Sequence, residues 1–532
     1  MKKFIYQFSL NLALVCCVAI AITSCKKTED GPSETARSFK PRDVKVATTE
    51  TSAKLTWTAP LLANGKKLTY SIDFSIDSLF SSVKYSTTSD TTGVVVTEAN
   101  LSLRTKYYAR IKASATDVPE SKYLISSAFS IVGIQLFRDD LTDAGETSVS
   151  LFYKTLPQGS TIVLTPATGA VTTITLSPAD ISAKTYTATG LTSSTKYTGE
   201  IFVGTKSYGY LTFSTLEPVV YTIQIGPADN LATTLANAAD KAVIGLADGI
   251  YNLPTAVTLS GKTITLRSIN NNPATTKVNF KGFTLLGTGA GLKVAGIDFD
   301  GTTYSATYFA DLTSASSNAT AASFTSISAD NCKIHGIGTG IVRGDRSTVN
   351  NYTIDDISFN KCLIYEVAVN NYYMFHLNKL LFKNLSVTKS SLYNFSPGLV
   401  NCTTVISAMP TISFANCTIN NFGASSMYLF LTSGSNPVSF TMKNSIIANS
   451  PRAGIVPGFI NATSAVVINN NNIFNLKDGS NVNLILPTSA IATTTINLGW
   501  AATTTSFKLP TDSPLLTASS SGGAIGDPRW TF

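Results

Sequence analysis

Short runs of alternating apolar and polar residues dominate the chain from about residue 41 to residue 216. Clear examples are 53–57, 69–74 and 107–111, which polar turns separate. A period of two places one side of each run in a core and the other in water, as in half-buried β-strands. The pattern therefore predicts β-sandwich structure over this region.

One part of this pattern occurs twice. Residues 51–57 and 147–153 align at an offset of 96 residues, and 101–107 and 191–197 align at an offset of 90. Each offset matches the length of one sandwich domain. The repetition indicates a second, diverged copy of the first domain.

The aligned segments resemble fibronectin type III domains. The segments that end in Tyr107 and Tyr197 resemble the tyrosine corner of that family, and Trp57 stands where the family places its core tryptophan. Tyr153 replaces the tryptophan in the second copy. Cys25, near the N-terminus, is a predicted lipid site, for reasons given below. Between such a lipid anchor and a larger domain, these modules are more often spacers than ligand-binding domains, and fold alone does not license a function. The resemblance implies two such domains, at 41–130 and 131–216.

The pattern changes at about residue 219. Residues 229–241 fit one amphipathic helix, and strand-like runs follow at 242–251 and 262–267. A helix followed by a strand and an Asp-Gly-x-Tyr turn resembles the opening coil of right-handed parallel β-helix proteins. The helix would cap the open end of the solenoid, as terminal repeats must. We expect a pectate-lyase-like parallel β-helix over 219–532.

A repeat with spacings of 30, 29, 26, 28 and 27 residues runs through the second half of the chain. Its units begin at Asn331-Cys332, Lys361-Cys362, Ser390-Ser391, Asn416-Cys417, Asn444-Ser445 and Asn471-Asn472. A drifting period of this length with small or polar residues in register indicates stacked coils. Since stacked coils lie ~4.8 Å apart, equivalent side chains form columns. The first residues of the six units predict a partial asparagine ladder at a bend. The second residues of the units predict a tight interior slot.

Cysteine usage leaves two alternatives open. If Cys16 and Cys17 leave with a signal and Cys25 carries a lipid, four cysteines remain: Cys332, Cys362, Cys402 and Cys417. An even set in an exported protein is compatible with disulfides. Because Ser391 fits the same slot as Cys332 and Cys362, free buried thiols are the simpler interpretation.

The N-terminus has the order of a secretory signal. Lys2 and Lys3 precede an apolar run over 8–22, which ends in Thr23-Ser24-Cys25. The run is short for a spanning helix, which needs roughly 20 apolar residues. The small residues before Cys25 resemble a bacterial lipobox, and an ordinary cleaved signal is the alternative. We predict a lipoprotein signal peptide at 1–24 and a lipidated tether at 25–40.

Two further features bear on location. Glu29 and Asp30 resemble the acidic signals that send some lipoproteins to the outer face, although Lys26 and Lys27 precede them. The segment 513–530 resembles the closing segment of β-helix lipoproteins from glycan-utilising Gram-negative bacteria, whose domain families have no settled function. The resemblance implies an exported, lipid-anchored protein of the outer membrane that faces the cell exterior. Its implied partners are a polysaccharide, the membrane and other surface glycan-uptake proteins.

Composition agrees with an all-β class: two fibronectin type III-like β-sandwiches followed by a right-handed parallel β-helix. The 532 residues are rich in Thr, Ser, Asn, Val and Ile, and suit two to four domains. The formal net charge is +8, yet only 14% of residues are charged. This mild bias argues against a nucleic-acid-binding surface.

The known enzymes of the β-helix scaffold are mainly lyases, hydrolases and esterases that act on acidic glycans. A lyase needs a basic side chain that removes a proton next to a uronate carboxylate, and a cation that neutralises the carboxylate. Aligning 341–346 with 372–377 places Arg343 and His376 in adjacent coils on one face. They are the candidate catalytic residues, and we assign substrate binding to their neighbours Asp345, Arg346 and Lys379.

Other candidate groups have weaker support. His335 aligns with Tyr365, Asn394, Asn420, Ala448 and Asn475 in a column dominated by asparagine, so a structural role is favoured there. The densest carboxylates, Asp298 with Asp300 and Asp355 with Asp356, form no multi-acid array of the kind a calcium site needs. No metal site is assigned. The cofactor stays open, with calcium as an expectation only for a lyase.

Three hypotheses follow from the sequence. The first is a surface lipoprotein that binds an acidic polysaccharide along its β-helix, in glycan capture or utilisation. The second is a polysaccharide lyase that uses Arg343 and His376. The third is a structural or adhesive surface module without a glycan site.

Replacing Cys25 with alanine tests the lipid anchor. We expect the variant to lose palmitate labelling and to move from the membrane fraction to the soluble fraction, because the thiol carries the acyl chains. Cys402→Ala is the matched control and should keep both properties. A Cys25→Ala variant that stays labelled would show that the cysteine is not the lipidation site.

Overall fold

A computed structural model describes the part of the chain that carries the expected domains. The described residues are 39–61, 67–116, 119–138, 142–314, 320–367, 372–395, 398–424, 428–432, 437–461, 465–477, 481–482, 484, 486 and 490–530. The predicted signal peptide, Cys25 and nearly all of the tether lie outside them. No helix among the described residues has the length and apolar character to cross a membrane.

The chain forms two compact units. One contains the described residues up to Gln135 together with Glu200–Tyr210, and the other contains Leu136–Gly199 and everything from Leu211 onward. Strands dominate both units, and sandwich-like sheets precede a parallel β-solenoid. The predicted all-β class is confirmed, whereas the predicted domain boundaries stay predictions.

The first sandwich pairs a three-stranded with a four-stranded antiparallel sheet, in the orders β1-β2-β5 and β4-β3-β6-β7. Its strands are β1 (Arg42–Thr48), β2 (Ser52–Thr58), β3 (Thr69–Ser75), β4 (Val83–Ser89), β5 (Gly93–Thr97), β6 (Tyr108–Ser114) and β7 (Leu124–Ile125). Trp57 is 5% exposed and packs edge-on against Tyr70 at 5.1 Å between ring centroids. Ser102 N donates to the Tyr107 hydroxyl at 3.2 Å. The core tryptophan and the tyrosine corner therefore lie where the sequence predicts them.

A second sandwich follows, with sheet orders β11-β10-β13-β14 and β12-β9-β8. Its elements are β8 (Asp143–Ala144), β9 (Ser148–Phe152), β10 (Ser160–Pro166), β11 (Thr172–Thr175), helix α1 (Pro178–Ala183), β12 (Thr185–Thr189), β13 (Lys196–Val203) and β14 (Lys206–Ser214). Thr192 N donates to the Tyr197 hydroxyl at 2.9 Å, which repeats the corner of the first sandwich. Tyr153 is fully buried in place of the tryptophan, and its hydroxyl donates to Asp180 O at 3.1 Å.

Helix α1 was not expected from the sequence. Six residues are too few for a helical period to show, but a capping box between Ser177 and Asp180 starts the helix. Lys184 ends it in the left-handed conformation.

Within the second unit this sandwich is fixed against the solenoid. Lys361 Nζ lies 2.8 Å from Asp143 Oδ2, and Arg267 Nη2 lies 3.4 Å from Glu146 Oε1. Arg138, which is 2% exposed, donates to Ala524 O at 3.3 Å. These contacts dock the second sandwich on the solenoid, and its role as a spacer stays a prediction.

The solenoid opens with a short helix and continues as three parallel sheets. Helix α2 (Leu231–Asn237) starts at the N-cap Asn230 and buries Leu231 and Leu235. It lies inside the expected stretch 229–241 but is shorter, because Ala238 leaves the helical conformation.

Among the described residues, sheet 1 has twelve strands, sheet 2 nine and sheet 3 seven. The strands of sheet 1 are β15 (Ile223–Ile225), β16 (Val243–Leu246), β19 (Thr263–Ser268), β22 (Gly291–Ala295), β25 (Ala322–Ser323), β26 (Ser326–Asp330), β29 (Tyr352–Asn360), β32 (Leu381–Thr388), β35 (Thr411–Ala415), β38 (Ser439–Lys443), β40 (Val466–Asn469) and β42 (Ala490–Ile491). Sheet 2 contains β17 (Gly249–Leu253), β20 (Thr276–Phe280), β23 (Asp298–Asp300), β27 (Lys333–Ile337), β30 (Leu363–Val367), β33 (Ser391–Phe395), β36 (Thr418–Asn420), β39 (Ile446–Ser450) and β41 (Asn472–Leu476). Sheet 3 contains β18 (Val257–Ser260), β21 (Phe283–Leu286), β24 (Tyr308–Thr313), β28 (Gly340–Arg343), β31 (Phe375–His376), β34 (Val400–Cys402) and β37 (Phe430–Thr432).

In each repeat coil the chain turns from sheet 1 to sheet 2 at one residue whose backbone is in the left-handed conformation. The residues that hold it, with φ between 48° and 54°, are Asn331, Lys361, Lys389, Asn416, Asn444 and Asn470. Asparagine tolerates this conformation better than most residues, which explains why it recurs there. The predicted ladder is confirmed, but Lys389 and Asn470 occupy it where the sequence alignment placed Ser390 and Asn471.

The residue after each corner fills the interior slot. The column is Cys332, Cys362, Ser390, Cys417, Ser445 and Asn471, since Leu363 pairs with Ser391 and Ile446 pairs with Asn472. The alignment that put Ser391 in the slot was wrong by one residue. The sequence pattern cannot distinguish Ser390 from Ser391, because both are serine. The strand pairing shows which of the two occupies the slot.

The slot residues join neighbouring coils. Ser390 Oγ accepts from Cys362 N at 2.9 Å and donates to Thr388 O at 2.7 Å. Burial raises the pKa of the Cys362 and Cys417 thiols to about 12. All four cysteines of the described region are buried and none forms a disulfide. The buried-thiol interpretation therefore describes the structure.

The C-terminal segment, from Thr494 to Trp530, runs back across the outer face of sheet 2. Asn472 Nδ2 donates to Ile496 O at 3.0 Å, and Asn449 Nδ2 donates to Trp500 O at 2.9 Å. Phe507 then packs edge-on against Tyr393 at 5.4 Å. Two 3₁₀ helices, Pro514–Thr517 and Pro528–Trp530, complete the segment.

Replacing Ser390 tests the slot. Ser390→Ala should lower the melting temperature of the solenoid, because it leaves the buried Cys362 N–H without its acceptor, at a cost of about 1–3 kcal/mol. Ser390→Cys should lower it less, since cysteine occupies the same slot in neighbouring coils. Calorimetry of the full chain measures both variants, and equal melting temperatures for wild type and Ser390→Ala would contradict the assigned column.

Candidate functional site

The outer face of sheet 3 carries a column of polar residues on consecutive coils. Asp311 pairs with Arg343, Arg343 pairs with His376, and His376 pairs with Asn401. In the adjacent inward column Val342, Phe375 and Val400 are fully buried, so the polar column faces outward. The adjacency of Arg343 and His376 agrees with the sequence alignment, whereas their catalytic role stays a prediction.

Two ion pairs organise the charges around this column. Arg343 Nε lies 3.1 Å from Asp345 Oδ1, and Arg346 Nη2 lies 3.0 Å from Asp311 Oδ2. The Arg343 guanidinium also stands over the Tyr308 ring at 5.3 Å, in cation–π geometry. We name the sheet 3 cluster by its residues: Tyr308, Asp311, Arg343, Asp345, Arg346, His376 and Asn401.

His376 is the most deeply buried residue of the cluster, at 5% exposure. Burial lowers its pKa to about 4, so the imidazole is neutral at physiological pH. Its Nε2 is buried and has no hydrogen-bond partner among the described residues. Tyr372 contacts the ring edge-on at 5.0 Å and is 45% exposed.

Gly340 allows a close approach to the backbone that leads into strand β31. A β-carbon at Gly340 would stand 2.8 Å from Tyr373 O and 3.5 Å from His376 Cδ2. A larger residue at Gly340 would therefore displace the strand that positions His376.

Asp311 is a cluster residue that the sequence analysis missed. Burial raises its pKa, and the opposing effect of Arg346 and Arg343 does not cancel that shift. Its Oδ1 is buried and has no described hydrogen-bond partner, as is also true of Asn401 Oδ1. Asp311 precedes the first recognisable repeat unit at Asn331, so the repeat alignment could not reach it.

Lys379 lies at the turn after β31, in the left-handed conformation, and its carbonyl accepts from Asn350 N at 3.0 Å. Its half-buried side chain makes no ion pair with the described carboxylates. The structure brings Asp345 and Arg346 into the cluster with Arg343. The substrate-binding roles predicted for Asp345, Arg346 and Lys379 stay predictions.

His335 lies on strand β27 of sheet 2, which corrects its expected place in a turn column. The strand pairing confirms Tyr365, Asn420 and Ala448 as members of its column. It places Tyr393 and Phe474 where the alignment put Asn394 and Asn475, and adds Asp300 before His335. His335 Nε2 lies 3.0 Å from Asp298 Oδ1, and the ring stacks on Tyr365 at 4.6 Å. These contacts support the structural role that the sequence favoured.

The carboxylates considered for calcium already have protein partners. Burial opposes ionisation of Asp300, but hydrogen bonds from Lys277 and Thr302 hold its pKa at about 2. Asp355 Oδ1 lies 2.8 Å from Lys383 Nζ, and Asp356 Oδ1 accepts from Asn384 at 2.8 Å. Across the described part of the chain no three His, Cys, Asp or Glu side chains converge as a metal site would require.

The neutral state of His376 predicts a pH dependence of stability. Its folded pKa of about 4 lies below the ordinary value of 6.5, so the unfolded chain binds the proton first as the pH falls. The contribution of neutral His376 to the free energy of unfolding is therefore complete above pH 6.5. It is lost as the pH falls toward 4, by up to about 1.4 kcal/mol per pH unit.

His376→Gln removes this titration. Calorimetry between pH 7 and pH 4 should show a smaller fall in melting temperature for the variant than for the wild type. Equal falls would mean that His376 is not held neutral.

Two family models match the chain, one in the first sandwich and one in the solenoid. Residues 39–127 match the family model of the fibronectin type III domain, and residues 249–395 match that of a domain of unknown function, DUF4957. The second match contains the column residues Asp311, Arg343 and His376, but that family carries no assigned activity. No curated protein matches the chain.

Solved structures similar to parts of the chain include two chicken proteins. The FN1–FN3 domains of CNTN1 are 14% identical, with 35% of this chain and 70% of that chain covered, at a TM-score of 0.17. A two-domain fibronectin type III segment of tenascin is 16% identical, with 33% of this chain and 97% of that chain covered, at a TM-score of 0.17. The family matches and the sheet topology show a fibronectin type III domain followed by a parallel β-solenoid of unknown function, a combination that suggests a surface or adhesive module.

Proposed function

We propose that the sheet 3 cluster binds an acidic polysaccharide, and that the protein captures this glycan at the cell surface. The observation that carries the proposal is the column in which Asp311, Arg343, His376 and Asn401 follow one another on four consecutive coils. Together with Arg346 and Tyr308 beside it, the column combines cations, aromatic rings and hydrogen-bond acceptors on one outward face.

The two arginines supply the donors for acidic groups. The side chains of Arg343 and Arg346 are 31% and 29% exposed, so a ligand can reach them. Each guanidinium uses one nitrogen in its ion pair and keeps further N–H donors. Guanidinium groups bind carboxylates in bidentate geometry, which suits a uronate.

The remaining groups of the column suit a hydroxyl-rich ligand. The Oδ1 atoms of Asp311 and Asn401 are acceptors without a described donor, and sugar hydroxyls are donors. Exposed Tyr372 and half-buried Tyr308 add aromatic surface beside them. Because successive coils repeat every ~4.8 Å, a linear polymer can contact several of them in turn.

A lyase is the second candidate function, and one observation favours it. His376 Nε2 is neutral, lacks a described partner and lies next to Arg343, which matches a base beside a carboxylate-neutralising cation. A pKa of about 4 makes His376 a weak base at neutral pH, which is why binding stands first. Calcium is a possible cofactor only under this second proposal.

The location at the cell exterior is part of the proposal. The lipobox-like Cys25 and the acidic residues after it support export and lipid anchoring to the outer membrane. Other surface glycan-uptake proteins are proposed as partners on the same basis. A purely structural or adhesive role is the alternative that the following test separates.

Affinity electrophoresis of the full chain in gels with acidic polysaccharides, polygalacturonate first, tests the proposal. Arg343→Ala and Arg346→Ala should each weaken retardation about tenfold, the loss expected for a charged hydrogen bond. Lys293→Ala removes an exposed cation from sheet 1 of the same solenoid and should leave retardation unchanged.

The same samples distinguish the alternatives. Release of unsaturated products that absorb ultraviolet light, abolished by His376→Ala, would replace binding with the lyase function. Absence of retardation on every acidic glycan of the panel would reject both glycan proposals and leave the adhesive role.

A further inference from the structure

A cavity lies between the second sandwich and the C-terminal segment, inside the second compact unit. It measures about 240 Å³. The sandwich contributes residues that follow strand β9 and helix α1, and the C-terminal segment contributes part of the stretch 516–524. The cavity shares no residue with the sheet 3 cluster.

Two lysines bring positive charge to this cavity. Lys154 comes just after strand β9, Lys184 ends helix α1, and both residues are half-buried. Neither Nζ atom makes a hydrogen bond or an ion pair within the described part of the chain. No carboxylate is among the described residues that line the cavity. The two ammonium groups are therefore uncompensated, unlike the arginines of the sheet 3 cluster.

Backbone hydrogen bonds fix both lysines on the sandwich. Lys154 N donates to Leu136 O at 2.8 Å. Lys184 N donates to Ile181 O at 3.3 Å, and Lys184 takes the left-handed conformation with φ of 56°. The two charges therefore start from defined points on the same side of the cavity.

The C-terminal segment forms the other side of the cavity. Arg138, buried beneath it, holds this segment in place by donating from Nη2 to Ala524 O at 3.3 Å. A β-carbon on Gly522 would stand 3.8 Å from Lys154 Nζ, so the ammonium group lies close to the segment.

A buried backbone donor adds to the two lysines. Ala524 lines the cavity at 6% exposure, and its N–H has no hydrogen-bond acceptor among the described residues. Buried backbone N–H groups are nearly always paired, because an unpaired one costs stability. An acceptor atom of a ligand in the cavity would complete this hydrogen bond.

We propose that this cavity binds a sulfate or phosphate group, held by Lys154, Lys184 and the N–H of Ala524. Ammonium groups are compact charges that suit a tetrahedral oxyanion, whereas the planar carboxylate pairs best with arginine. Three donors from separate chain segments also suit a group with more than two oxygen atoms. A cavity of about 240 Å³ is far larger than the site of one water molecule, so it has room for a sugar that carries the oxyanion.

Equilibrium dialysis of the full chain with radiolabelled sulfate, at low ionic strength to limit screening, tests the cavity. Lys154→Gln should weaken binding about tenfold, the loss expected for a charged hydrogen bond. Lys154→Arg keeps the charge and should retain most of the affinity. Lys443→Gln removes an exposed cation from sheet 1 and is the matched control. Unchanged affinity for Lys154→Gln would overturn the proposal.

Lys184→Gly separates a ligand role from a structural one. Glycine adopts a positive φ without strain, so the melting temperature should stay the same or rise. Sulfate binding should nevertheless weaken about tenfold, since the second ammonium group is gone. Sulfate binding equal to that of the wild type would contradict the proposed site.

The site goes beyond the proposed function of the sheet 3 cluster and does not depend on it. Arg343→Ala/Arg346→Ala should therefore bind sulfate as the wild type does. Loss of sulfate binding in this variant would assign the anion to the sheet 3 cluster and reject the cavity. Sulfate binding without retardation on any acidic polysaccharide would reject the proposed function and support the cavity.

Competing ligands test the chemistry of the site. Phosphate should displace labelled sulfate, whereas acetate at the same concentration should not, and equal displacement by acetate would overturn the assignment to a tetrahedral oxyanion. Galactose 6-sulfate distinguishes the two sources of such a group. Stronger displacement than by unlabelled sulfate supports a sugar ester as the ligand, and equal or weaker displacement supports the free anion.

Discussion

Parallel pairing of each coil with the next is the constraint on which the solenoid depends. Every strand of sheets 1, 2 and 3 hydrogen-bonds to its equivalent about one repeat away in sequence, so register passes from coil to coil. The left-handed corners allow this pairing, because each turns the chain within a single residue. The slot residues then join the coils, as Ser390 does between Cys362 N and Thr388 O.

The same constraint creates the candidate site on sheet 3. Outward side chains stand in columns, so residues about 30 positions apart in sequence become neighbours in space. On sheet 3 this brings Asp311, Arg343 and His376 together, and at the corner between sheets 2 and 3 it aligns Asn421, Asn449 and Asn475. On sheet 2 the C-terminal segment covers the later coils, so much of that face is not available to a polymer.

Burial and charge compensation set the electrostatics of the sheet 3 cluster. In the sheet 3 cluster each arginine has a carboxylate partner, and burial keeps His376 neutral and raises the pKa of Asp311. A ligand there must compete with existing ion pairs or add to them.

Much of the fold follows from local pattern. Alternation and repeat length predicted the sandwich strands and the stacked coils, because each is encoded within one repeat. The resemblance to fibronectin type III domains placed the tyrosine corners at Tyr107 and Tyr197. The adjacency of Arg343 and His376 followed as well, since two similar strands could be aligned. Other features depend on contacts between distant segments that no local pattern encodes. Strand pairing placed Ser390 in the slot instead of Ser391, and brought Asp311 beside Arg343. Long-range packing docked the second sandwich through Lys361 and Asp143, and laid the C-terminal segment over Tyr393.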